Sequence, residues 1–219
     1  MSRDEFEKLK SGVIKRKQKR KLGLFIDGVG LDRATRRIDK RIDLTKLVSS
    51  LTNGLEPEIA RYYTLIPHED DARQLAFLDA VQRAGLEVVV KRLPPKNVKR
   101  QVAMDVHISC DLIGYSMGVF QDVNKQKEAN SGGTQQFGSI IMEEHEKTLS
   151  LNLNAQRDSG VKRIAAIVCP TRELTYAIYM SHLLEVETSL VDFGLYGQSE
   201  GWRGIDHWVD LSTSETIWR

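Results

Sequence analysis

The sequence predicts an α/β protein built on a mainly parallel sheet flanked by helices. Three observations support this. Short apolar runs alternate with amphipathic stretches of helical length, the runs end in turn formers or charged residues, and 41% of the 219 residues are hydrophobic, enough for a substantial core. LGLFIDG (22–28) is an apolar run that stops at Asp27-Gly28 and reads as a buried strand. IDLTKLVSSLTNG then spaces Leu44, Leu47, Val48 and Leu51 as one helical face, with Gly54 as its stop. EIARYYTLI supplies a second strand near 59–66. EDDARQLAFLDAVQRAG follows as an amphipathic helix with apolar Leu75, Leu78 and Val81, closed by Gly85. LEVVVKRL (86–93) is a third strand, ended by Pro94 and Pro95.

MDVHISCDLIGYSMG (104–118) reads two ways: Val106, Ile108 and Cys110 alternate as in a strand, while the length suits a helix. A polar stretch at 121–138, rich in loop formers, reads as an insertion before the fourth strand, serving as a loop or as an oligomer or partner interface, with SIIMEEHEKTLSLNL as a helix behind it. RIAAIVC is the fourth strand, TRELTYAIYMSHLLE a helix, ETSLVDFG a fifth strand near 186–193, and the tail is partly buried through Trp202 and Trp208. The organisation is thus a basic arm (1–21), one domain (22–211) with an insertion at about 119–160, and a tail (212–219).

Charge excludes little. With 32 basic and 30 acidic side chains the net charge is +2, so no nucleic-acid or membrane partner is demanded by composition. The arm KSGVIKRKQKRK (10–21) nevertheless concentrates basic charge just before the first apolar run. Cys110 and Cys169 form no C-x-x-C pair, which points to small apolar roles in a reducing, cytoplasmic setting. No apolar stretch reaches the length of a membrane span, and the first residues lack the apolar core of a secretion signal.

Carboxylates gather at predicted strand ends: Asp27 after the first, Asp105 and Asp111 in the ambiguous segment, Glu173 just past the fourth. In a parallel sheet these ends share one edge, and clustered carboxylates need a cation; Mg²⁺ or Mn²⁺ suits such hard oxygen ligands and promotes phosphodiester hydrolysis. A competing motif is GYSMG (114–118), a G-x-S-x-G pattern in which Ser116 would be a serine-hydrolase nucleophile, with Asp192 and His207 following in chain order. No helix of small residues follows Ser116, which weakens the match. DGVGLDRA is only half of a dinucleotide fingerprint, because Arg33 stands at the third glycine's place.

FIDGVGL, RYYTLIP with RQLAFLDAVQRAGLEVVVKRL, MDVHISCDLI, VKRIAAIVCPTREL and IDHWVDLS, in this order, resemble the NYN domain family, LabA-like members of the PIN-like nuclease superfamily. The resemblance implies a Rossmann-like sheet and a Mg²⁺- or Mn²⁺-dependent ribonuclease site. Matched residue by residue, Asp27, Asp105 and Asp111 fall on the family's acidic positions and would be both metal ligands and catalytic residues. At the fourth-strand corner the family's Ser-Gly-Asp-x-Asp is replaced: Thr171 takes the first aspartate's place and Glu173 alone keeps an acid. Phosphate contacts would come from Arg16, Lys17, Lys19 and Arg20 of the arm and from Arg33, Arg36 and Arg37. A neutral Thr171 weakens the site, and a degenerate domain serving as an RNA-binding or scaffold module is the alternative. Thr171 also suits a helix N-cap, with Glu173 in the first turn.

Overall fold

Residues 19–69, 72–95, 98, 102–120, 161–194 and 201–219 are described by the computed structural model of the protein. The rest of the basic arm, Arg16 and Lys17 included, and residues 121–160 of the insertion lie outside them. Among the described residues six strands make one sheet, β1 (Lys19–Asp27), β2 (Pro57–Ile66), β3 (Glu87–Arg92), β4 (Val161–Val168), β5 (Glu187–Asp192) and β6 (His207–Asp210), in the order β3-β2-β1-β4-β5-β6. Every pairing is parallel. This is the doubly wound, Rossmann-like order, in which the chain reverses direction across the sheet between β1 and β4, so a crevice opens outside the carboxyl ends of those two strands.

Among the described residues five helices cover the sheet: α1 (Gly28–Arg37), α2 (Leu44–Thr52), α3 (Ala72–Arg83), α4 (Asp105–Ser116) and α5 (Thr175–Leu183). Successive strand residues point to opposite faces, and the core divides accordingly. On one face Leu24, Ile26, Ala166 and Val168 meet Leu31 and Ala34 of α1, Leu47 of α2 and Val81 of α3. On the other, Phe25, Tyr63, Ala165 and Ile167 meet Ile108, Leu112 and Tyr115 of α4 and Ile178 of α5. A strand buried on both faces has to read as an apolar run, as residues 22–26 of β1 and 164–168 of β4 do. Each large side chain taken fully from water contributes about 1.5–3 kcal/mol.

Three local readings change. The ambiguous segment is helix α4, because Ile108, Leu112 and Tyr115, spaced by four and three, form its buried stripe. β1 starts at Lys19 rather than Leu22: Lys19, Arg20 and Lys21 pair with Val161, Lys162 and Arg163, and Lys21 also reaches Glu58. The tail adds β6, a four-residue edge strand paired with β5. Among the described residues no helix is long and apolar enough to cross a membrane.

Candidate acidic site at the sheet edge

Asp27 closes β1 and caps α1. Its Oδ1 accepts the backbone N–H of Val29 at 3.0 Å and of Gly30 at 3.1 Å, which fixes the carboxylate at the crevice. The residue is only 4% exposed, and burial drives its pKa from 3.8 up to about 6 against the opposing pull of those two N–H groups; the Asp105 charge pushes the same way and Arg33 opposes it. Among the described residues Oδ2 accepts no hydrogen bond. Two glycines let the backbone come this close. A Cβ on Gly28 would lie 2.4 Å from the Tyr62 ring, and one on Gly30 would lie 2.2 Å from the carbonyl oxygen of Cys169. The glycines of DGVG therefore serve packing between α1, β2 and the β4 corner.

Asp105 opens α4 and accepts a hydrogen bond from the Thr171 hydroxyl. Thr171 follows β4 but makes no side-chain capping bond to its own turn; the hydroxyl reaches across the crevice to Asp105 instead. The β1 and β4 ends thus bring together Asp27, Asp105 and Thr171, two carboxylates and a neutral donor.

The other predicted acids stand apart. Six residues along α4 carry Asp111 about 9 Å from Asp105 toward the amino edge of the sheet. There it pairs with Arg61 at 2.8 Å and accepts the buried Tyr63 hydroxyl at 2.8 Å, and Arg61 also holds Glu87 at 2.9 Å. Glu173 is exposed in the 3₁₀ turn Arg172–Leu174 and does not join the pair. Among the described residues no three His, Cys, Asp or Glu side chains gather closely enough to hold a metal. Asp27 and Asp105 offer hard oxygen donors beside the Thr171 hydroxyl, a set that suits one hard divalent cation completed by water and does not suit two.

The predicted cations are also redistributed. Lys19 and Arg20 begin β1, so roughly 26 Å of strand separates Lys19 from Asp27, and they lie at the opposite edge of the sheet. Arg33 is the cation that acts on Asp27. Arg36 is tied to Asp32 at 3.0 Å on the exposed face of α1. The serine-hydrolase arrangement does not form: Ser116 is buried in the last turn of α4, donating to the Leu112 carbonyl at 2.7 Å, and His207 pairs with Glu187 at 2.8 Å. A nucleophile elbow requires a strand-to-helix turn, and Ser116 sits where a helix ends.

Two features went unread in the sequence. β5 and β6 also end in aspartates, Asp192 and Asp210. Asp192 accepts the Cys169 thiol, and its charge together with burial keeps that thiol protonated. Asp210 accepts the N–H of Gly194 and of Ser212, both at 2.8 Å, and these bonds hold its pKa low against its own desolvation. The repeated Val-Asp at 191–192 and 209–210, echoing Ile26-Asp27, was the available signal. Cys169 is buried as expected, whereas Cys110 is exposed on α4; both are free thiols.

No family model matches the chain, and no curated protein matches it. Among solved structures it is similar to a protein of unknown function from Vibrio parahaemolyticus, with a TM-score of 0.59 over 94% of this chain and 100% of the other at 10% identity. That likeness establishes the Rossmann-like fold and nothing about chemistry.

Proposed function

We propose that the crevice at the ends of β1 and β4 is a phosphodiester-hydrolysing site of the NYN type, with Asp27 and Asp105 holding one Mg²⁺ or Mn²⁺ and RNA as the substrate. The observation that carries this reading is Asp27, a buried carboxylate at the topological switch point whose neighbour is another carboxylate. A bound ion supplies Lewis-acid stabilisation of a phosphoryl oxygen and a more acidic water. The protein's own part is positioning. Two backbone N–H groups hold Asp27 Oδ1 so that Oδ2 is presented, Thr171 steadies Asp105, and Arg33 adds positive charge where a phosphate would approach. The two free thiols are compatible with a cytoplasmic setting.

A second reading is a non-hydrolytic RNA-binding or scaffold module. The observation in its favour is that Asp111 is neutralised elsewhere and Thr171 occupies an oxygen of Asp105. Calorimetric titration with Mn²⁺ and cleavage of a single-stranded RNA separate the two. The hydrolytic reading expects one Mn²⁺ site and metal-dependent cleavage, both lost in Asp27→Asn. Cleavage that survives in that variant, or Mn²⁺ binding that Asp27→Asn leaves unchanged, overturns it.

A further inference from the structure

A cavity of about 950 Å³ opens between α1 and α3, over the carboxyl end of β2, within the range that holds a small ligand. It adjoins the acidic site, since Gly28, the neighbour of Asp27, forms part of its wall. Four features of that wall point to one kind of ligand. Tyr62, in the wall, has its hydroxyl beside Gly28, where it can donate a hydrogen bond. Thr64, which is buried, adds a second hydroxyl-bearing side chain to the same wall.

Phe77 of α3 packs edge-on against Tyr62, with ring centroids 5.8 Å apart, and is still 39% exposed, which leaves an aromatic surface open at the cavity. Arg73, one turn earlier on α3, and Arg41, before α2, line the cavity too, and neither has an acidic partner among the described residues. An arginine in the first turn of a helix is disfavoured by the helix dipole, whereas an anion bound there is favoured by both. The lining acid Asp32 is already paired with Arg36; Asp39 is the other carboxylate in the wall.

We propose that this cavity is a nucleotide subsite: one nucleotide of single-stranded RNA lies in it, its base stacked on Phe77, its phosphate held by Arg73 and Arg41, and the Tyr62 hydroxyl donated to a ribose or phosphate oxygen. The assignment rests on the reading of the neighbouring crevice as an RNA site, and it places the adjoining phosphodiester over Asp27 across Gly28. Stacking on an aromatic and arginine contact to phosphate are both tolerant of sequence, so the subsite would impose little base preference.

The test uses a fluorescently labelled oligoadenylate and the full chain in chelator, where cleavage plays no part. Phe77→Ala and Arg73→Ala should each weaken binding about tenfold or more, in line with stacking contributions of about 1–3 kcal/mol per base. Phe77→Trp should keep wild-type affinity, and its fluorescence should be quenched by the oligonucleotide but not by an abasic strand. Unchanged affinity in Phe77→Ala, together with an unquenched Phe77→Trp, overturns the subsite while leaving Asp27-dependent cleavage intact as a separate result. A quenched Phe77→Trp with cleavage indifferent to Asp27 retains the subsite and overturns the hydrolytic reading. A mononucleotide that competes as strongly as the oligonucleotide assigns the cavity to free nucleotides and overturns the RNA assignment. The Phe77 and Arg73 positions are solvent-facing, so matched thermal melts verify that each variant is folded.

Discussion

Asp27 and Asp111 are both carboxylates on the predicted acidic motif, and the fold treats them in opposite ways. Asp111 meets Arg61 and the Tyr63 hydroxyl, so its charge is compensated within the protein. Asp27 is more deeply buried, takes its hydrogen bonds among the described residues from backbone N–H groups, and faces a second carboxylate, with Arg33 opposing at longer range. Burial of a charge is tolerated when a partner neutralises it, and an uncompensated one marks a place where something from outside is expected. The difference lies in compensation rather than in residue type or motif membership.

Four measurements break or sharpen that contrast. The largest expected effect is on cleavage. Asp27→Asn should lower metal-dependent RNA hydrolysis by about 10³-fold, because a bound ion supplies several kcal/mol of charge stabilisation, while Asp111→Asn should change it less than about tenfold. Equal losses in single-turnover assays would erase the distinction between the two acids.

Next is stability. Asp111→Ala leaves Arg61 with Glu87 alone and takes the acceptor from the buried Tyr63 hydroxyl, so it should cost about 2 kcal/mol in urea unfolding, whereas adding Tyr63→Phe should recover part of that. A loss below about 1 kcal/mol would mean the pair is solvated like a surface bridge.

Asp27 should show the opposite sign. Its folded pKa, about 6, lies above its ordinary 3.8, so the native state binds the proton more tightly than the unfolded chain does. Stability from this group is complete below pH 4 and is lost as the pH rises through 6. Asn caps a helix as well as Asp and carries no charge. Asp27→Asn should therefore gain stability over wild type, nearly nothing at pH 4 and about 2–3 kcal/mol at pH 8, in paired thermal melts. A pH-independent difference would show that the buried charge is not the cause.

The smallest effect concerns the crevice's neutral member. Thr171→Asp adds a carboxylate beside Asp105 and should tighten Mn²⁺ binding about tenfold, since affinity of oxygen sites follows ligand charge. No tightening would argue that the 171 side chain stays outside the coordination sphere.

Much of the fold was legible because the pattern and the burial agree. β1 and β4 are covered on both faces and read as apolar runs; α3 shows its stop at Gly85, but of its expected stripe only Val81 is buried, Leu78 is half-buried and Leu75 is exposed. β6 was not legible, since a four-residue edge strand with half-exposed side chains leaves no apolar run. Asp27 was legible as a charge ending an apolar strand. Asp111 misled because its grouping with Asp105 was read along the sequence, while on a helix six residues turn the side chain well away and carry it nearly two turns down the axis. Thr171 misled for a related reason. Its sequence context suits a cap, but the turn after β4 aims the hydroxyl at Asp105, a residue of another element that no local pattern reveals.

The contact of Gly30 with the Cys169 carbonyl sets the gauge of the crevice. No rotamer can widen or narrow a spacing fixed by main chain against main chain, so the gap between the two halves of the sheet is as rigid as the backbone itself. A methyl group at position 30 would have to push the whole 169–171 corner outward, taking Thr171 away from Asp105. Positions 30 and 169–171, far apart in the chain, are thereby coupled in space, and any redesign of the acidic pair must begin by keeping that hydrogen atom in place.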